Sequence, residues 1–383
     1  MRFLTKTTLM MFCSLALAAA GCTGDDGADG AAGNAGAPGQ DGQDGAPGAP
    51  GPEGPQGPPG PGLLCSFQLP GDSFFPEGIA LNGATSDIYV GSLTSGDIAR
   101  IPDGETRAEL LPLADDDLKS GAVGMITNAA GDRLFVCDAL PDPANATDGA
   151  VVAIDISDPA NAAVVSTHAL PTATDSTIFC NDIALDAAGN LYATDSLGGQ
   201  ILTVSVDDIG TDGDAAVFLA ADPKLVGPDA NSPFGANGIA TLDDGAGNEF
   251  LFVVNFSNGT LHRVAINGDG TAGALVDVAL SNDAGDVTLQ GADGLKVFDA
   301  AAGELVVVEN AANSLSKIAL DDAFGAAPTG KVTKISTRLD VPTTFAMDGD
   351  TAIVVEGQLD HLLDPVNAGP PSLPFCLANV EVY

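Results

Sequence analysis

Residues 180–196, CNDIALDAAGNLYATDS, contain two short apolar runs joined by a turn rich in Gly, Asp and Asn. This pattern is typical of a β-hairpin. Equivalent first runs start at residues 76, 122, 236, 292 and 342, where the sequence reads PEGIALN, AVGMITN, ANGIATL, ADGLKVF and PTTFAMD. Further runs of strand length follow most of them. Short strands in sets of four, one set in each unit of roughly 50 residues, predict an all-β fold, namely a six-bladed β-propeller.

A propeller has to join its first and last blades, and two isolated strand-like segments lie at the ends of this domain, residues 63–383. The segments LLCSFQL and PFCLANVEVY are therefore predicted to pair in the last blade, with Cys65 bonded to Cys376. Cys137 ends a second strand, and Cys180 begins the first strand of the next unit on the same face. The second pair is predicted to form either a disulfide or two buried thiols.

The N-terminal residues 1–21 predict a secretory signal peptide, because Arg2 and Lys6 precede a short apolar run and then small residues. The run ends in AAGC, which resembles the bacterial lipoprotein box. The resemblance implies cleavage before Cys22 and lipidation of that cysteine. We expect an exported protein that is anchored in the bacterial cell envelope, at the outer membrane or the cell surface.

Between the lipidated cysteine and the propeller, residues 22–62 form a predicted stalk. Every third residue from Gly24 to Gly60 is glycine, and proline is frequent between the glycines. This Gly-X-Y period is the collagen signature, because only glycine fits the axis of three wound chains. Two interpretations stay open: a homotrimeric triple helix, or a solvated and extended single-chain spacer reaching roughly 110 Å.

The composition is strongly acidic, with 13 Lys and Arg against 52 Asp and Glu and a formal net charge of −39. Such a surface repels nucleic acids and attracts cations, which excludes nucleic-acid binding as a function. A solvated acidic exterior accounts for most of this charge.

Oxygen-bearing side chains recur at one position of the repeat, which we place just before the first strand. Because first strands line the axis of a propeller, these side chains are predicted to converge at one end of it. Two carboxylates and two amide carbonyls there suit Ca²⁺, or another hard divalent cation, far better than Zn²⁺. Capping of turns is the competing explanation for any one of them. Through the six units the position is occupied by Glu77, Val123, Asn181, Asn237, Asp293 and Thr343.

A second polar position ends the second strand of each unit, at Ser92, Asp138, Asp195, Asn255, Glu309 and Glu356. Asp195 and Glu309 belong to units that also supply candidate ligands, so they are predicted to orient those ligands or to bind substrate. Solvated loop residues are the alternative for most of the set. Phe179 and Phe234, in loops near the same end, are predicted to form an apolar wall for a substrate or to pack between blades.

The alternation of PEGIA, NDIALDAAGNLYATD, NGIA and ADGL resembles the family of senescence-marker protein, gluconolactonase and luciferin-regenerating enzyme over residues 65–383. The resemblance implies a divalent ion held by Glu77, Asn181, Asn237 and Asp293, and hydrolysis of lactones and some esters. Asp293 would then serve as the catalytic base or orient the attacking water.

Two functions remain open from the sequence. The first is a calcium-dependent lactonase or esterase, acting on a small-molecule substrate and held away from the membrane by the stalk. The second is a non-catalytic propeller that binds a ligand or partner at the surface, with a structural calcium ion. A histidine dyad of the kind found in paraoxonase, a more distant relative, is not expected, because His168, His262 and His361 fall in an outer strand, a third strand and a late loop.

Overall fold

The computed structural model describes residues 65–114, 118, 121–139, 149–173 and 177–383. The signal peptide, Cys22 and the collagen-like stalk lie outside the described residues. No helix within the described ranges is long and apolar enough to cross a lipid bilayer.

The described chain has an all-β, propeller-like fold made of antiparallel meanders. The strands of its first half, in chain order, are β1 (Phe67–Gln68), β2 (Pro76–Leu81), β3 (Ile88–Ser92), β4 (Ile98–Ile101), β5 (Glu109–Leu110), β6 (Ala122–Thr127), β7 (Arg133–Asp138), β8 (Ala150–Asp155), β9 (Ala163–Ala169), β10 (Cys180–Leu185), β11 (Leu191–Asp195), β12 (Gln200–Val204), β13 (Gly213–Asp214) and β14 (Ala216–Leu219).

The second half continues the same pattern and adds two short helices near its end. Its elements are β15 (Ala236–Asp243), β16 (Glu249–Asn255), β17 (Thr260–Ile266), β18 (Ala272–Asn282), β19 (Gly285–Asp286), β20 (Ala292–Asp299), β21 (Glu304–Glu309), β22 (Ser314–Asp321), β23 (Thr329–Ser336), β24 (Pro342–Asp348), β25 (Thr351–Glu356), α1 (Leu359–Leu363), α2 (Pro365–Ala368) and β26 (Cys376–Glu381). Short 3₁₀ turns lie at Pro159–Asn161, Val206–Asp208 and Asn310–Ala312.

Most strands pair with their neighbours in chain order, but β13 pairs with β9, β18 pairs with β23, and β26 pairs with β1. The strand orders are β2-β3-β4-β5, then β6-β7-β8-β9 with β13 added, then β10-β11-β12-β14. The next two meanders, β15-β16-β17-β18 and β20-β21-β22-β23, share one nine-stranded sheet because β18 and β23 pair in parallel. The last sheet, β24-β25-β26-β1, takes its outer strand from the other end of the domain.

This closure confirms the predicted pairing of the two terminal segments. Phe67 lies opposite Leu377 and Gln68 lies opposite Cys376. Cys65 and Cys376 form a disulfide that spans 311 residues of sequence. Cys137 and Cys180 form the second disulfide, with their Cα atoms 5.3 Å apart, so the alternative of two buried thiols is wrong.

The first strands of the meanders are in contact in the order β2, β6, β10, β15, β20, β24 and back to β2, which makes a closed inner ring. Thr343 on β24 completes the ring by donating a hydrogen bond from Oγ1 to the carbonyl oxygen of Glu77 on β2, at 2.7 Å. Separate apolar clusters fill the spaces between neighbouring meanders, with Phe135, Phe252 and Phe345 among the fully buried side chains. Burial of each such side chain contributes about 1.5–3 kcal/mol.

Candidate metal centre on the inner ring

Each inner strand has the same irregularity immediately after its first residue. Its first residue pairs with the last residue of the second strand, and the pairing resumes three residues later with a shifted register. A bulge of this kind re-aims the side chains that it contains. The residues inside the bulges include the six that the sequence predicts to converge, namely Glu77, Val123, Asn181, Asn237, Asp293 and Thr343.

Glycine follows the ring residue in four of the strands and allows the strands to approach closely. A Cβ atom on Gly78 would lie 1.7 Å from the carbonyl oxygen of Val123, and one on Gly238 would lie 2.2 Å from that of Asp293. Neither contact is possible without moving backbone. The backbones of successive inner strands therefore nearly touch, and this contact brings the neighbouring ring residues together.

The four predicted ligands are all buried, with exposed fractions of 7% for Glu77, 6% for Asn181, 4% for Asn237 and 6% for Asp293. The carboxyl groups of Glu77 and Asp293 interact electrostatically, although they are far apart in sequence. The side chain of Asn237 hydrogen-bonds to Asp293. The structure thus brings Glu77, Asn237 and Asp293 into one cluster.

Asn181 belongs to the same ring through its neighbour Asp182. The Asp182 carboxylate interacts electrostatically with both Glu77 and Asp293. Val123 is apolar and fully buried. The Thr343 hydroxyl donates the hydrogen bond to the backbone that closes the ring. Four of the six ring residues therefore remain as oxygen donors, as the sequence predicts.

Two oxygen atoms in this cluster are buried without a hydrogen-bond partner among the described residues. They are Oε2 of Glu77 and Oδ1 of Asn237. An unsatisfied buried polar group costs about 1–3 kcal/mol, and native proteins rarely tolerate one without a reason. Both atoms are hard oxygen donors beside a second carboxylate, Asp293. The donor set fits a hard divalent cation.

The cluster also shifts the pKa of both acids upward. Burial is the main cause for Glu77, and the charges of Asp293 and Asp182 add to it, while Lys296 opposes it. Burial and Asp182 raise the pKa of Asp293, against hydrogen bonds from Asn237 and Asn310. Without a cation, protons neutralise the negative charge that Lys296 leaves uncompensated, and a bound divalent ion would displace those protons.

The second predicted position is buried as well, and its side chains hold the loops that precede the inner strands. Asp195 Oδ1 accepts hydrogen bonds from the backbone N–H groups of Phe179 at 3.1 Å and Gly198 at 3.0 Å. Glu309 Oε2 accepts one from the N–H of Gln290 at 2.9 Å. These loops lead directly into Asn181 and Asp293. The Asp195 and Glu309 side chains are both at most 3% exposed. The solvated-loop interpretation is wrong for the rest of the set, because Ser92, Asp138, Asn255 and Glu356 are also at most 3% exposed.

The same arrangement recurs in other units, at residues that were not singled out. Asn255 donates from Nδ2 to the carbonyl oxygens of Lys224 at 2.9 Å and Val226 at 3.0 Å. Glu356 Oε2 accepts from the N–H of Asp340 at 2.6 Å. The sequence indicates the position of these polar residues but not that they hold the loops, because that role depends on loop geometry.

The two aromatic loop residues pack against each other. The rings of Phe179 and Phe234 meet edge to face, with centroids 5.3 Å apart and an interplanar angle of 78°. Both are half-buried. Their packing agrees with the between-blade interpretation and leaves part of each ring accessible near Asn181 and Asn237.

The histidines serve other parts of the fold. His262 on β17 contacts Thr260 at 2.8 Å and Asp277 at 3.0 Å, and burial lowers its pKa. His168 on β9 contacts Ser166 at 3.1 Å. The expectation of a late loop for His361 is wrong, because this residue lies in α1, where Nδ1 faces the carbonyl oxygen of Gly369 at 3.0 Å.

Three residues at the site were not assigned a role from the sequence. Lys296 Nζ lies 3.1 Å and 3.3 Å from the two carboxylate oxygens of Asp182. Asn310 donates from Nδ2 to Asp293 at 3.3 Å and to the carbonyl oxygen of Pro342 at 3.0 Å. Asp182 did carry a signal, since it stands where four other inner strands have glycine. Lys296 and Asn310 carried none.

No known family model matches the chain, and no curated protein sequence matches it either. Solved structures do share its fold. A periplasmic gluconolactonase from Pseudomonas aeruginosa has a TM-score of 0.53 at 15% identity, over 80% of this chain and 85% of that one. A gluconolactonase from Xanthomonas campestris has a TM-score of 0.51 at 14% identity, over 84% and 89%.

An enzyme of another class is equally similar. The aldose sugar dehydrogenase of Streptomyces coelicolor, in its PQQ-bound form, has a TM-score of 0.51 at 17% identity, over 84% of this chain and 96% of that one. At these identities the likeness establishes a shared propeller-like fold. The fold occurs in proteins with different chemistries, so function has to be inferred from the ring residues.

Proposed function

We propose that this protein is a calcium-dependent hydrolase of lactones or related carboxylic esters. The observation that carries the proposal is the pair of buried, unpartnered oxygens on Glu77 and Asn237 beside the carboxylate of Asp293. A bound cation would satisfy both atoms, which have no hydrogen-bond partner among the described residues. The two gluconolactonases with a similar fold, and the sequence resemblance of residues 65–383 to that family, support a lactone as substrate.

Glu77, Asn181, Asn237 and Asp293 would hold the ion. Two carboxylates and two amide oxygens favour Ca²⁺ over softer metals, which prefer nitrogen and sulfur ligands. When bound, such an ion polarises a substrate carbonyl and makes a nearby water more acidic.

The protein's own residues supply the rest of the chemistry. Asp293 is held by Asn237 on one side and by Asn310 on the other, so its carboxylate has a fixed orientation. Held in this way, the Asp293 carboxylate would serve as the general base that takes a proton from the attacking water. Phe179 and Phe234 would cover the apolar side of the substrate. Asp195 and Glu309 position the ligand-bearing loops without touching the reacting atoms.

The architecture and location belong to the same proposal. The six inner strands in ring order, each opening a meander, support the six blades that the sequence repeat predicts. The two disulfides favour an oxidising compartment and therefore export. Lipidation at Cys22 and the Gly-X-Y stalk would display the propeller at the bacterial envelope.

Calcium should stabilise the protein more at about pH 8 than at about pH 5, because Glu77 and Asp293 have to lose their protons before they bind a cation. The metal-free protein should show the opposite trend. Both folded-state pKa values lie above the unfolded ones, so the folded state holds more protons, and the free energy of unfolding falls as the pH rises above about 4.5 until the folded pKa is passed. Thermal unfolding in calcium-free and calcium-containing buffer at both pH values measures this. Equal calcium-induced increases in Tm would contradict it.

A panel of aldono-, γ- and δ-lactones and aryl esters tests the activity itself. We expect turnover of at least one lactone, its loss after removal of divalent ions, and its recovery when calcium is returned. Turnover that is insensitive to chelation would refute the metal mechanism. Calcium binding without turnover on any substrate would instead identify a ligand- or partner-binding propeller with a structural ion.

A further inference from the structure

An ion pair between buried Asp182 and half-buried Lys296 lies beside the ring ligands. Asp182 is 4% exposed, and both of its carboxylate oxygens are bonded to Lys296 Nζ, which comes from a strand two meanders further along the chain. The same carboxylate accepts hydrogen bonds from the N–H groups of Ile183 at 2.9 Å and Ile239 at 3.2 Å. Four other inner strands have glycine at the place of Asp182, so this carboxylate is an addition to the common pattern.

The fixed charges at the site can be counted. Glu77, Asp182 and Asp293 are buried and interact with one another, which gives a charge of −3 when all are ionised. Among the groups that act on Glu77, Lys296 supplies the positive charge. The remaining charge is −2, which one divalent cation neutralises. A buried charge imbalance is expensive at low dielectric, so this count has consequences for the ions that the site accepts.

We propose that Lys296 is a built-in counter-cation that cancels Asp182 and so fixes the charge preference of the ring site at +2. This inference rests on the proposed metal centre and deepens it, because it assigns selection between ions of different charge to a pair that does not coordinate the metal. With the pair intact, the site binds one divalent ion and disfavours trivalent ions of similar size.

Asp182 has a second role that has to be separated from its charge. Its backbone N–H donates to Thr194 Oγ1 at 3.1 Å, and Thr194 Oγ1 donates to the carbonyl oxygen of Asn237 at 2.8 Å. The residue therefore also helps to align two ligand-bearing strands. Asparagine at position 182 keeps the size and one side-chain acceptor, so it removes the charge with little change in shape.

The experiment compares Asp182→Asn, Lys296→Met and the double variant in the full-length mature protein, by calorimetric titration with Ca²⁺ and with La³⁺. Asp182→Asn leaves a net charge of −1, so calcium affinity should fall about ten-fold or more. Lys296→Met leaves −3, so the ratio of La³⁺ to Ca²⁺ affinity should rise by about ten-fold or more. The double variant returns to −2 and should recover calcium affinity to within about three-fold of the original protein.

Recovery in the double variant is the decisive result, because an aligning role alone would leave the double variant as weak as Asp182→Asn. Failure to recover would overturn the charge-balance inference while leaving the metal centre standing. Absence of calcium binding in the unaltered protein would overturn both. Lys331→Met is the matched control: it removes the same charge from an exposed pair with Asp283, with exposed fractions of 61% and 92%, and should leave both affinities unchanged. Melting temperatures show whether each variant is folded.

Discussion

Replacement of Asp293 by asparagine should lower lactone turnover by about 10³-fold, because the change removes a ligand charge and the proposed general base together. Calcium affinity should fall in the same variant. The metal-free protein should be no less stable than the original, since a neutral amide replaces a buried acid whose pKa is raised by its surroundings. Steady-state kinetics, calcium titration and thermal unfolding measure the three quantities.

Asp286→Asn provides the control for that experiment. Asp286 is an exposed residue of β19, in the segment that precedes the strand bearing Asp293, so its loss should leave turnover and calcium affinity unaltered. Turnover of more than about one-tenth in the Asp293 variant would show that the base lies elsewhere and would remove the catalytic role assigned to this carboxylate.

Replacement of Cys65 and Cys376 by alanine should lower the free energy of unfolding by about 5 kcal/mol, because the bond closes a very long loop in the unfolded chain. The remaining strand pairing of this segment is short, because β1 is two residues long and pairs with β26 at Phe67 and Gln68. Backbone hydrogen bonds also join Ser66 to Leu377 and Leu69 to Phe375. We expect Tm to decrease by about 10 °C or more relative to the protein without these substitutions, as measured by calorimetry.

The same variant should weaken the metal centre. Opening the last sheet loosens the contact between β24 and β2, and β2 carries Glu77. Calcium affinity should therefore fall even though no ligand has been altered. An unchanged Tm would show that the strand pairing closes the ring without covalent help, and limited proteolysis near residues 65–75 would show whether β1 has detached.

The repeat predicted where the inner strands begin. The six first runs identified in the sequence begin at the residues where the inner strands begin, from Pro76 to Pro342. The terminal pairing and both cysteine pairs were also accessible, because a ring has only one way to close its ends and because Cys137 and Cys180 occupy the same end of neighbouring units. These features are predictable because each repeat unit places its strands, and the ends of those strands, at equivalent positions.

The partners of the ring residues were less accessible. Lys296 and Asp182 are separated by 114 residues, and their contact depends on a bulge that turns Asp182 toward the next inner strand. Thr343 was a possible fifth oxygen donor, yet its hydroxyl bonds to backbone. The helix that contains His361 follows Gln358, whose backbone is in the left-handed region. No periodic pattern predicts so short a helix. These features depend on local backbone turns and side-chain packing, which a repeat does not encode.

The bulge shared by all six inner strands gives the scaffold six equivalent side-chain positions. Four of these positions carry the proposed metal ligands, Val123 packs in an apolar cluster, and Thr343 hydrogen-bonds to the backbone of the neighbouring strand. Val123 takes no part in the proposed ion site and is fully buried in an apolar cluster, so an acidic side chain there would carry a high desolvation cost. New specificities in such a protein can therefore arise from single substitutions at the polar positions of the ring.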